Sequence, residues 1–359
     1  MLKPLFAIVM RLSIAIAMSA QRSRKKQPTQ ADVARRAGVS QATVSYVLNN
    51  NTAIAVPADT RQRIQDAIRE LGYIPDRAAR SLRTRKTYTL AGIIPDITNP
   101  FYPAFERGIQ DLADQHGYDL IMYNTDGSAE KERKSLRSVQ QGHVDGLIAV
   151  LFHLNAQDLL PLLDMNVAVV RLEATPKRAG AAPLDNLYVD NIAAAQRAVE
   201  YLIGKGHSRI GMLTGQRGPG ANRVLGYQRA LAEQQLAIHN ELIRSSDFTV
   251  AGGSQSMHEL LALPERPTAV FAANDLMAMG AMNAIRAAGL RIPQDIAVIG
   301  FDNIPAAELV SPALTTVTQF QEQLGRRAAQ MLLERFDGSV PEGGRCEEMP
   351  ADLIIRESA

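Results

Sequence analysis

Apolar residues are spaced in two ways along this chain, and the change falls near residue 88. Between residues 28 and 73 they recur at helical intervals. Val33, Ala34 and Ala37 share one face of a first short helix, and Val44, Val47 and Leu48 stand at i, i+3, i+4 on a second. A third helix over 57–71 brings Ile64, Ile68 and Leu71 to close a three-helix core. Thr29 is placed to cap the first helix, with Asp32 three residues on facing the amides of the first turn. Gly38 permits a left-handed turn, and Ser40 can cap the second helix. Beyond residue 88, short apolar runs alternate with helical stretches. The strands expected are LAGIIP (90–95), DLIMYN (119–124), GLIAVL (146–151), VAVVRL (167–172), RIGMLT (209–214), AVFAA (269–273) and IAVIGF (296–301). Helices are expected among them over 101–116, 192–205, 222–234 and 275–288. This β-α alternation predicts parallel sheets covered by helices, arranged as two Rossmann-like subdomains with a cleft between. The fold class is a small all-α helix-turn-helix head followed by an α/β two-lobed body.

The outward face of the second helix shows Gln41, Ala42, Ser45 and Tyr46. These polar, methyl and aromatic groups suit base edges in a major groove, where Gln pairs with adenine and a methyl meets thymine. A generic three-helix bundle with no ligand would carry the same core. Of 39 Lys+Arg and 37 Asp+Glu, residues 1–87 hold 16 and 5, leaving 23 and 32 for the rest. A basic head on an acidic body suggests a polyanionic partner, with a basic tail that has no partner as the alternative. Charge alone does not decide; turn, spacing and charge together favour a DNA-binding head over a generic bundle.

After the head, residues 74–87 contain DRAARSLRTRK, with five basic residues and Asp76 placed to cap a short helix. Such a helix is too short to stand alone in water, and phosphates would favour its folding. Leu82 would then be an exposed apolar side chain suited to wedge between base steps; a solvated linker with an incidental leucine is the alternative. Residues 1–27 form an extension of different character. Leu2 to Ala20 is mostly apolar, begins near Lys3 and ends in small residues, as a secretory signal does, but Arg11 interrupts it. A real signal would export the head away from DNA, so the expectation is an upstream start codon, with the working protein beginning near Met18.

In the body, polar residues gather at the carboxyl ends of strands: Asp96 to Tyr102, Glu173, Asn274-Asp275 and Asp302-Asn303, with Arg223 opening a helix after GQRGPG. Singly, each could be a helix cap or a turn. Together they describe a cleft for a polar small molecule. Arg171 is a basic residue inside a strand; it either enters the cleft and favours an acidic ligand or pairs with a nearby carboxylate. No enzyme is expected. GKGHS lacks the spacing of a phosphate loop, GQRGPG lacks a strand-GxGxxG-helix frame, and no nucleophile-base arrangement is legible. Six scattered histidines and a lone Cys346 give no metal motif and no intramolecular disulfide, so no cofactor or metal is expected.

The runs ADVARRAGVSQATVSYVLN and IRELGYIPDRAARSL closely resemble the lactose-repressor/galactose-repressor family of bacterial transcription regulators. The likeness extends from about residue 28 to the end. It implies a helix-turn-helix domain over 28–73, a hinge helix and linker over 74–87, and a periplasmic-binding-protein-like core over 88–359. In that core the N-lobe would span about 88–187 and 319–346, and the C-lobe about 188–318 and 347–359. Crossings between lobes are expected at 184–190, 317–319 and 346–350. The resemblance places Gln41, Ala42 and Tyr46 at base-reading positions and Ser40, Thr43 and Asn49 near phosphates. Ala79 and Leu82 fall where the hinge helix enters the minor groove. ITNPFY, RVLGY, AAND and IGFDN place Phe101, Tyr102, Arg223, Asn274 and Asp302 at ligand-contact positions, with Glu173 where members often carry Asp. Many members carry Arg where Tyr46 stands, and Pro57 replaces a frequent capping Ser. The implied protein is a cytoplasmic homodimeric repressor of a near-palindromic operator, responsive to a sugar or related metabolite, with no membrane partner. The rival is an exported solute-binding protein, which shares the two-lobed body but has no use for the head.

Overall fold

The computed structural model describes residues 28–48, 54–74, 86–142, 144–175 and 180–359. The chain divides into two compact units, Met1–Arg85 and Lys86–Ala359.

The first unit contains three helices, α1 (Gln30–Ala37), α2 (Gln41–Leu48) and α3 (Ala58–Leu71). At the start of α1 the Asp32 backbone N–H donates to Thr29 Oγ1 at 3.3 Å. The Thr29 backbone N–H donates back to the Asp32 carboxylate at 2.9 Å, completing a capping box. Gly38 ends α1 at φ 67°, a value that glycine adopts without Cβ strain. Ser40 Oγ then accepts from the Thr43 backbone N–H at 3.1 Å and opens α2. Val33, Val44 and Ile64 are fully buried where the three helices meet, with Ile68 and Leu71 packed around them. Arg63 Nη1 donates to the Ala37 carbonyl at 3.2 Å and ties α3 to the end of α1. Pro57 precedes α3 and supplies no side-chain cap.

The second unit is built on two six-stranded sheets. The first has the order β11-β5-β4-β3-β1-β2, from β1 (Thr89–Ile94), β2 (Asp119–Asn124), β3 (Gly146–Ala149), β4 (Ala168–Glu173), β5 (Leu184–Val189) and β11 (Cys346–Met349). The second has the order β12-β10-β9-β8-β6-β7, from β6 (Ile210–Gly215), β7 (Ile243–Ser246), β8 (Ala269–Ala272), β9 (Ala297–Asp302), β10 (Thr315–Thr318) and β12 (Asp352–Ile354). All pairings are parallel except β10 with β12. Central strands such as β3, β6 and β8 are buried throughout, which is why they read as unbroken apolar runs. Order reverses at β1 in one sheet and at β6 in the other, and each reversal opens a crevice beyond the strand carboxyl ends.

The chain passes between the sheets three times. Residues 184–190, expected as the first crossing, are instead strand β5 as far as Val189, paired with β4 and β11, and the passage follows at Asp190. The second passage follows β10, after which the helix Gln321–Phe336 packs on the Phe101–Gln115 helix of the first lobe. The third falls between Met349 and Asp352, so residues 347–349 belong to the first sheet and not to the second lobe.

Candidate functional site

Ser40, just before α2, and Gln41 and Ala42 on it are exposed, while Thr43, Ser45 and Tyr46 are half-buried. The opposite face carries buried Val44 and Val47. This orientation follows from helical periodicity: the residues that make the core cannot turn outward without losing it. Ser40 and Thr43 hydroxyls lie 2.8 Å apart, so the first turn presents a paired hydroxyl cluster beside the Gln41 and Ala42 side chains. Asn49, Ala79 and Leu82 lie outside the described residues, as do residues 75–85 of the hinge and linker.

In the second unit, a cleft of about 1040 Å³ lies between the lobes, lined from both sheets. The first lobe contributes Phe101, Tyr102 and Glu173, and the second contributes Arg223, Asn274 and Asp302. All six were singled out in the sequence, and the fold gathers them because Glu173 and Asp302 end parallel strands and the other four lie in the segments that follow such ends. Phe101 and Tyr102 open the helix after β1; their rings meet edge to face at 5.1 Å. Burial, and then the nearby Asp302 carboxyl, push the Tyr102 phenol well above its ordinary range, so it stays protonated.

Arg223 is only 3% exposed and is held from four sides. Nε donates to Asn191 Oδ1 at 2.8 Å, Nη1 donates to the Ala273 carbonyl, and Nη2 faces Asp302 Oδ1 at 3.8 Å. The guanidinium lies 3.6 Å from the centroid of the Phe301 ring. Asp302 closes β9 at φ 111°, a conformation side chains rarely adopt, and its Oδ1 accepts from Gln319 Nε2 at 2.8 Å. Burial raises its carboxyl to about 6, against the opposing pull of Arg223 and Gln319. Asp275 lies deeper. Its oxygens accept from Thr316 Oγ1 at 2.5 Å and the Ile304 backbone N–H at 2.8 Å, and burial together with Asp302 raises its carboxyl well above the ordinary range.

Asn274 caps the Asp275–Ala287 helix through the Met277 N–H at 2.9 Å, and its Nδ2 donates to the Phe248 carbonyl at 2.9 Å. It therefore sets the position of Phe248 on the cleft wall as well as lining the cleft itself. Arg171 pairs with Glu173 and is absent from the described lining, which takes the second of its two readings. Sequence reasoning passed over Asn191 and Gln319, the buried amides that brace Arg223 and Asp302. Both sit beside a passage between lobes, where a buried polar side chain is the only signal.

At the mouth of the cleft the lobes touch. Arg217 Nη1 donates to the Gly127 carbonyl at 2.8 Å, and Phe152 packs on Gly218, where a Cβ would lie 2.6 Å from the ring. Phe152 is set by Glu132, a fully buried carboxylate that accepts from the backbone N–H groups of Phe152, His153 and Leu154 at 2.8, 3.1 and 2.9 Å.

A helix-turn-helix unit and a hinged two-lobed ligand body define a class of ligand-responsive regulators. The description "Bacterial regulatory proteins, lacI family" matches residues 29–76, and "Periplasmic binding protein-like domain" matches 199–359. The chain is 35% identical to the HTH-type transcriptional repressor PurR of Aliivibrio salmonicida, over 91% of this chain and 97% of that one. It is also 35% identical to the repressor CytR of Escherichia coli, over 93% and 98%. Among solved structures, a lac repressor dimer bound to operator and the anti-inducer ONPF superimposes with a TM-score of 0.81 at 29% identity, covering 93% of this chain and 99% of that chain. The chain belongs to the lacI family of bacterial regulatory proteins. Among the described residues no helix is long and apolar enough to cross a membrane.

Proposed function

We propose that this protein is a homodimeric, cytoplasmic transcriptional repressor that binds a near-palindromic operator and releases or grips it according to a small polar ligand held between the lobes. One observation carries the reading: the likeness to repressors runs through head and body together, over 91% of the chain. An exported solute-binding protein would share the body alone, and an enzyme is not what these relatives are.

In this reading α2 lies in the major groove. Gln41 takes an adenine edge, the Ala42 methyl meets a thymine methyl, and Tyr46 and Ser45 extend the contact. Ser40, Thr43 and Asn49 hold phosphates and fix register. Ala79 and Leu82 serve the minor groove, with Leu82 as the wedge. The ligand sits against Phe101, Tyr102, Glu173, Arg223, Asn274 and Asp302, and a sugar or related metabolite suits this mixture of rings and polar groups. Lobe closure about three chain passages alters the spacing of the paired heads, and thereby operator affinity.

The experiment is a gel-shift assay on the DNA upstream of the protein's own gene, at fixed salt. Wild type should retard this fragment in the presence of excess unrelated DNA. Gln41→Ala combined with Tyr46→Ala should lose at least tenfold in affinity for it and little for unrelated DNA, at about 1–3 kcal/mol per lost base contact. Equal loss on both DNAs would remove the base-reading role from these residues.

A further inference from the structure

The charges around the cleft are lopsided. Among the described residues lining it are six carboxylates, Asp96, Asp126, Glu173, Asp247, Glu259 and Asp302, and two guanidiniums, Arg217 and Arg223. The cations that pair with three of these acids sit outside that lining: Arg171 on Glu173, Lys131 on Asp126, and Arg244 on Glu259 at 3.0 Å.

Of the two arginines of the lining, Arg223 is engaged through all three nitrogens and Arg217 through one. Arg223 spends Nε on Asn191 and Nη1 on the Ala273 carbonyl, turns Nη2 toward Asp302, and lays its plane on Phe301. Turning it to an anion would strip Asp302 of its cation inside the protein, where an unpaired charge costs several kcal/mol. Arg217 at the mouth donates Nη1 across the cleft to Gly127. An entering phosphate or carboxylate would give up hydration and, beside the neutral hydroxyl and amide donors of the lining, meet six carboxylates whose oxygens accept and cannot donate. A ligand rich in hydroxyl or amino donors meets the opposite situation.

We propose that the cleft selects an uncharged, donor-rich polyhydroxy or amino compound and discriminates against its phosphorylated or carboxylated derivatives. This deepens the ligand assignment above and rests on it. Selection operates at two depths. Asp126, Asp247 and Glu259 are exposed at the rim and repel an approaching anion over about a Debye length. Glu173 and Asp302, with side chains 13% and 5% exposed, accept from the ligand within.

Matched pairs test this directly. The full-length protein is titrated by calorimetry with uncharged monosaccharides, disaccharides and nucleosides, and with the monophosphate ester of each. The expected result is an uncharged compound that binds while its ester binds at least tenfold more weakly, the gap narrowing as salt is raised. Asp247→Asn combined with Glu259→Gln should narrow the same gap at low salt. An ester that binds as tightly as its parent, or more tightly, overturns the selectivity and leaves the ligand cleft standing. No heat from any member of any pair overturns the selectivity together with the sugar-like ligand assignment. A gap unmoved by both salt and the rim variant overturns the role given to the rim.

Discussion

Arg223 and Asp302 meet at 3.8 Å with almost no solvent around them, and burial acts on the carboxyl more strongly than the arginine does. The Asp302 carboxyl holds its proton to about 6, whereas in the unfolded chain it ionises near an ordinary aspartate value of about 4. Between those limits the folded state binds more protons than the unfolded state, so this residue's contribution to stability falls as pH rises from about 4 to about 6 and is level above that. Denaturant titrations of wild type and Asp302→Asn across this range should show the wild type losing on the order of 2 kcal/mol relative to the variant. Parallel curves would mean that Asp302 ionises normally in the fold. The sequence already pointed to Asn274 and Asp302, polar residues at the ends of apolar runs, and to Arg223, which stands near the start of a helix after the GQRGPG turn. It did not show that Asn274 holds Phe248, nor that Asn191 and Gln319 brace the ion pair. Those partnerships join segments far apart in the chain, and no spacing rule encodes them.

Elements whose pattern was unbroken were the legible ones. DLIMYN is β2 residue for residue, and the expected helices begin and end within two residues of the observed ones. Of the edge strands, β2 was legible but β7 and β11 were not. IRSS of β7 and CEEM of β11 are mostly half-buried and carry too few apolar side chains to stand out. In β5 the run is broken by Asp185, which is fully buried and accepts from Arg335 Nε at 2.9 Å and Arg345 Nη2 at 2.8 Å. A buried charge in a strand reads as a break until its partners arrive from 150 residues away. Glu132 belongs to the same class, since the helix Ala129–Gln141 uses it to hold the loop after β3. Glu132→Ala leaves three backbone donors without their acceptor and should cost about 2–4 kcal/mol in chemical denaturation. Glu132→Gln, which keeps one acceptor oxygen, should cost less. A change within about 0.5 kcal/mol for the alanine variant, the range of an ordinary surface substitution, would show that the loop holds itself.

At the scale of the molecule, the shift from helical to strand periodicity near residue 88 separates the two compact units, and the charge contrast between head and body marks which one meets DNA. Those are bulk properties of the chain, which is why they survive in the sequence. The passages between lobes are local turns a few residues long, and they were placed only approximately. If ligand and operator act on one equilibrium, each must change the other's affinity by the same factor. The most direct measurement is fluorescence anisotropy of a labelled fragment from upstream of the gene, titrated with the full-length protein at fixed salt against unrelated DNA. It is repeated with a saturating compound that the cleft binds. The expected result is a preference of at least about a thousandfold for one short near-palindromic sequence, changed at least about fivefold by the compound. Equal affinity for all DNA, or a preference that the bound compound leaves untouched, would contradict the account.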